Sequence, residues 1–153
     1  MKAYEILEHV TDLEIRAFGK TKEELFSNML KGMFESIKPK IKDKSKNLPD
    51  LPTGQAGGRQ GQKTGVERVI KIKSADEQSL LVDFLSEALA QSDINNEAYF
   101  EAKFDKLTDK ELKGKIFGWP VESFAVEIKA VTYHGLEIKK VDDHWEAIVL
   151  FDI

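Results

Sequence analysis

Apolar residues fall at helical spacing in only two places along this chain. That fact limits it to folds in which two amphipathic helices pack against strands. The first stripe is Leu25, Phe26, Met29, Leu30, Met33, Phe34 and Ile37. Each member has another three or four positions away, so they share one face of a helix. Thr21 followed by Glu24 has the form of a capping box, in which hydroxyl and carboxylate satisfy free N–H groups of the first turn. Pro39 supplies the stop, and the spacing predicts a helix over about 22–37. The second stripe is Leu80, Leu81, Phe84, Leu85, Ala88 and Leu89. It follows a second capping-box pair, Ser74 and Glu77, and predicts a helix over about 76–91.

The rest of the patterned sequence alternates. YEILEH (4–9), LEIRAFG (13–19) and VERVIKIKS (66–74) read as strands with one solvated face. YFEAKFDKL and ELKGKIFG read as two more, joined near Thr108–Lys110. Trp119–Pro120 is expected to turn. FAVEIKAVTYHGLEIKK and HWEAIVLFDI are expected to form a long hairpin through Val141–Asp143, so the last residues continue a strand. Residues 40–65 carry no period and are rich in glycine, proline and polar residues, as in a flexible insertion, with a poorly ordered segment over 45–64. The order ββαβαββββ predicts an α+β fold: a single two-layer domain over 1–153, with a mainly antiparallel sheet and two amphipathic helices.

Composition narrows the chemistry. The chain has no cysteine, which excludes disulfides, zinc–thiolate sites and a cysteine nucleophile. Charges at positions 2, 5 and 8 predict neither a signal peptide nor a membrane span, and hence a cytoplasmic protein. The net charge of −4 argues against a general phosphate-backbone binder. KPKIKDKSK, with lysines at 38, 40, 42, 44 and 46, is read first as a solvated loop edge and second as a patch for an anionic partner. GQAGGRQGQKTG lacks the spacing of a phosphate-binding loop and has no strand leading into it.

The three histidines, His9, His134 and His144, show no metal-ligand spacing. His9 and His134 are expected to be structural and His144 solvated. The carboxylates carry more. Asp12 interrupts two strand-like runs in HVTDLEI, where an aspartate commonly serves a turn. Asp152 shares a strand face with Ile148 and Leu150, and an acid that continues a buried apolar face would need a partner. The Ile153 terminal carboxylate stands beside it. Oxygen donors grouped in this way suit a hard cation, with magnesium, calcium and manganese all admissible.

Long motifs then connect the chain to a known family. HVTDLEIRAFGKTKEELF (9–26), LLVDFLSEAL (80–89) and KAVTYHGLEIKKVDDHWEAIVLFDI (129–153) resemble the opening, central and closing motifs of the archeases. Two departures stand out: V-T precedes Asp12 where T-A is usual, and the linker after Trp119 lacks G-E-P and a later histidine. The resemblance implies an accessory protein, not an enzyme, that partners an RtcB-type RNA ligase in tRNA splicing and RNA repair. It would promote guanylylation and multiple turnover of the ligase and meet RNA only through the ligase complex. It further implies a divalent-metal site (calcium, magnesium or manganese) on Asp12, Asp152 and the Ile153 carboxylate. No catalytic or other cofactor-binding residue and no membrane partner is implied. A general chaperone or adaptor and a stand-alone metal-dependent hydrolase are the other classes open to such a chain.

Overall fold

The computed structural model describes residues 1–8, 12–42 and 65–153. The expectations for His9, for Lys44 and Lys46, for the glycine-rich run and for disorder over 45–64 lie outside these residues. Among the described residues ten elements follow in order: β1 (Tyr4–Glu8), β2 (Asp12–Gly19), α1 (Lys22–Ser36), β3 (Pro39–Ile41), β4 (Val66–Lys73), α2 (Glu77–Asn95), β5 (Glu97–Leu107), β6 (Glu111–Phe124), β7 (Ala130–Val141) and β8 (His144–Asp152). The class is α+β with antiparallel pairing, as the alternation implied. The strands divide between two sheets, one ordered β1-β2-β8-β7 and one in which β6 pairs with β3, β4 and β5.

Both helices form for the reasons the sequence displays. Thr21 caps α1, its hydroxyl accepting from the Glu24 N–H at 3.1 Å, while the Glu24 carboxylate accepts from the Lys20 N–H at 2.6 Å. All seven residues of the first stripe are buried. α1 packs on β1, β2 and β8 and also on β5, and α2 packs on β4 to β7. The two stripes therefore meet in one apolar cluster with Ile15, Ala17, Ile70, Ile116, Val149 and Phe151. At the front of both helices, Lys22 bonds Glu77 and Asp109 (3.1 Å to the latter) and sits 4.7 Å above the Trp145 ring. One ammonium thus ties the starts of α1 and α2 to β8 and to the β5–β6 turn.

Several expectations are corrected. Asp76, not Ser74, caps α2, accepting from the Ser79 N–H at 2.8 Å. Ser74 instead gives its hydroxyl to Asp83 at 2.6 Å. α2 runs on to Asn95, closed by Asn96 in the left-handed region at φ 57°, a conformation asparagine tolerates. Trp119–Pro120 does not turn; β6 passes straight through it. Proline lacks an N–H, but here β5 pairing ends at Glu97↔Pro120, and the Pro120 carbonyl accepts from Lys42 at 3.0 Å. No ladder donor is lost at such a position. Phe124 to Lys140 is not one strand, since β6 ends at Phe124 and β7 begins at Ala130. β3, a three-residue strand, had no sequence signature.

β5 carries a buried charge, met by an arginine of β4. Glu97 is 4% exposed. It accepts two bonds from Arg68, at 2.9 and 2.6 Å, and one from the Tyr99 hydroxyl at 2.7 Å. Burial, more than the Glu97 bond, pushes the Tyr99 phenol well above its usual range, so it stays a donor. Arg68→Ala strands the Glu97 carboxylate. It is expected to cost about 2 kcal/mol, less than a fully buried pair because the arginine retains contact with water. The midpoint of thermal unfolding should fall by about 4–8 °C. Arg68→Met and Glu97→Leu combined with Tyr99→Phe should recover most of that loss, because neither a charge nor the Tyr99 hydroxyl is then left buried without a partner.

Candidate metal centre

β2 and β8 lie side by side, and their register sets Asp12 opposite Asp152. Residues directly opposite in an antiparallel pair share a face. Along β8, Ala147, Val149 and Phe151 are buried; along β2, Ile15 and Ala17 are. The aspartates therefore belong to the other face, with Glu14, Arg16, Ile148 and Leu150. This corrects two expectations. Asp12 opens a strand and does not sit in a turn. The face that Asp152 shares with Ile148 and Leu150 is the outward one, and Asp152 is exposed, so the desolvation argument for a partner falls away.

A different argument takes its place. Like charges directly opposite in a ladder repel, at a cost of a few tenths to about 1 kcal/mol. A sequence that sets two carboxylates in register on neighbouring strands creates negative potential that a cation offsets. Ala130 of β7 flanks Asp152 on its other side, and the Lys129 N–H donates to the Asp152 carbonyl at 2.7 Å. The backbone of the chain end is thereby fixed up to Asp152. Ile153 follows, half-buried. Among the described residues no three His, Cys, Asp or Glu side chains gather as a metal cluster. Two side-chain carboxylates are what the fold brings together here, and a third oxygen donor would come from the Ile153 carboxylate.

A cleft of ≈ 480 Å³ opens between α2 and the segment joining β6 to β7, and neither aspartate lines it. Leu89, Val126 and Ile128 line its apolar part, and Asp93, Glu127 and Lys129 bring charge to it. A second cleft of ≈ 490 Å³ lies between α1 and β5, away from the aspartates. It holds Glu101, whose carboxyl is raised above its usual range by burial, with Lys103 and Lys31 opposing. The histidines stay apart from the aspartate pair where they are described. His144 is not solvated: its Nε2 lies 3.0 Å from Glu146, and its ring is tilted toward Phe18. His134 is exposed.

The sequence model of the Archease protein family (MTH1598/TM1083) matches residues 4–153. The chain belongs to the archease family. Among curated archeases, that of Methanosarcina barkeri is 34% identical over 160 residues, covering 99% of this chain and 97% of the relative. That of Pyrococcus abyssi is 31% identical, with both chains covered completely. The solution structure of protein 1598 from Methanobacterium thermoautotrophicum superposes with a TM-score of 0.66 at 27% identity over the whole of both chains. A Thermotoga maritima crystal structure, described as an archease and possible chaperone, gives a TM-score of 0.60 at 17% identity, covering 96% of this chain and 94% of its own. At that identity the likeness speaks for the shared fold. No described helix of this archease is long and apolar enough to cross a membrane.

Proposed function

We propose that this protein is a cytoplasmic accessory factor of an RtcB-type RNA ligase and holds a divalent cation on Asp12, Asp152 and the Ile153 carboxylate. The observation that carries the reading is the Asp12↔Asp152 register on an outward sheet face. The donors are all hard oxygens, which suit magnesium, calcium or manganese. When bound, the cation would supply positive charge against the phosphates of a nucleotidyl transfer. The protein's own part is placement. Seven further pairs along β2 and β8 fix the two aspartates relative to each other. The Lys129–Asp152 backbone bond holds the last strand residue against β7. An outward site can be presented to a partner's reaction centre, as an accessory role requires.

The test is the rate of ligase guanylylation with and without stoichiometric protein from the same organism. Stimulation, and a change from single to multiple turnover, is expected. An unchanged ligase would remove this reading. Phosphodiesterase activity of the protein alone would favour a hydrolase, and protection of an unrelated aggregating client would favour a chaperone.

The chain end offers a separate check. A one-residue extension after Ile153 replaces the carboxylate by an amide, and deletion of Ile153 draws the charge back along the strand. Either change is expected to weaken metal binding by about tenfold or more, taking the known sensitivity of metal sites to altered donors as the scale. Isothermal calorimetry measures it. A strand end with no ligand role tolerates such a tag silently, so unaltered affinity in the extended protein would exclude Ile153 from the site.

A further inference from the structure

The β7–β8 ladder is interrupted at one point. Thr132 pairs with Leu150 and Glu137 with Ile148, so four residues of β7 stand opposite the single residue Val149. Leu136, half-buried, packs on the core and takes the inward slot. Tyr133, His134 and Gly135 are thereby left outside the ladder, and all three are exposed, Tyr133 to 56%. The loop is built rather than frayed. The Thr132 hydroxyl accepts from the His134 N–H at 3.3 Å and donates to the Leu150 carbonyl at 3.1 Å. Gly135 turns the chain at φ 66°, with open space where a Cβ would stand.

A bulge of this kind re-aims side chains. Here it sets an aromatic ring in water, where the ring contributes nothing to the core. Tyrosine in such a setting is a frequent anchor of protein interfaces, because it offers a large rigid surface and a polar tip. The bulge begins three residues along β7 from Ala130, the neighbour of Asp152, or about 10 Å at strand rise. One partner surface can therefore meet both features. The net charge of −4 disfavours a phosphate backbone as that partner and favours a protein with cationic groups.

We propose that the Tyr133–Gly135 bulge is the docking knob for the protein partner of the aspartate site. The partner surface carries an apolar socket for the phenol ring beside cationic side chains. This rests on the reading of the protein as a ligase accessory factor and names the contact through which it binds.

The test compares ligase binding by wild-type protein, Tyr133→Ala, Tyr133→Phe and a variant lacking residues 133–135. The deletion joins Thr132 to Leu136 and restores an unbroken ladder; Tyr133→Ala alters only an exposed side chain, so folding does not decide the result. Ligase affinity is expected to fall by about tenfold or more in Tyr133→Ala and further in the deletion. Tyr133→Phe should keep most of it, and metal affinity should be unchanged in all. Wild-type affinity in a folded deletion variant and in Tyr133→Ala overturns the inference alone. Failure of the wild-type protein to bind the ligase overturns the parent reading and this one with it. Intact ligase binding with lost binding of a single-stranded RNA oligonucleotide would make the bulge an RNA contact and overturn the protein assignment.

Discussion

Asp152→Ala is expected to abolish ligase stimulation while leaving the protein as stable as before, or slightly more so. The sign of the stability change is the informative part. Asp152 is exposed and adds no apolar packing, and its cross-strand neighbour Asp12 carries the same charge. Removing one carboxylate relieves a repulsion of a few tenths to about 1 kcal/mol. Metal affinity moves the other way. Disturbing even the outer partners of a metal site costs 10–100-fold in affinity, so loss of a direct donor should cost about 100-fold or more. Asp12→Ala should behave alike, and Asp152→Asn should share the defect because it keeps the shape and loses the charge. Calorimetry with magnesium, calcium and manganese reads the affinity, thermal unfolding reads the stability, and guanylylation reads the function. Full stimulation by folded Asp152→Ala would show that the carboxylates serve no metal.

The helices were legible because their signals are local. Seven apolar residues at spacing three and four could be buried in only one way, and Thr21 with Glu24 closes its own turn. The second start was ambiguous for an equally local reason. Ser74 precedes Glu77 by three, and Asp76 precedes Ser79 by three. Asp83, which takes the Ser74 hydroxyl, decides between them from a turn and a half into the helix. Pro120 misled because its meaning depends on where β5 pairing stops and β3 pairing starts, which no local window contains. Asp152 was placed on the right face relative to Ile148 and Leu150, but alternation alone does not say which of two faces meets the core. Val149 and Phe151 settle that through their contacts with the helices' cluster. The opposition of Asp12 and Asp152 is a matter of register between strands some 140 positions apart, set by neither strand's own pattern. The bulge in β7 did leave a trace, since glycine inside a strand-like run marks such places, and Gly135 sits in the middle of VTYHGLEI.

Gly118→Ala is expected to do the opposite of Asp152→Ala: destroy stability without touching the aspartates. Gly118 lies in β6 opposite Tyr99, next to a register shift in β5. A Cβ there would stand 1.7 Å from the Ala98 carbonyl oxygen and 2.8 Å from the Tyr99 Cα. These are backbone atoms, which cannot swing aside like a side-chain tip. β5 and β6 would have to part by more than an ångström, and β5 carries Tyr99, packed edge-on against Phe34, and the Glu97 that Arg68 holds. Overpacking of a core usually costs 1–3 kcal/mol. Forced separation of a central strand pair adds the loss of ladder bonds, at about 1 kcal/mol each. The sum, about 4 kcal/mol or more, is a large share of the 5–15 kcal/mol that holds a typical domain together. The unfolding midpoint should drop by about 10 °C or more. The fraction that remains folded should still bind metal with wild-type affinity, because β2 and β8 belong to the other sheet. A Gly118→Ala protein that unfolds at the wild-type temperature would mean that β5 and β6 do not approach so closely at this point.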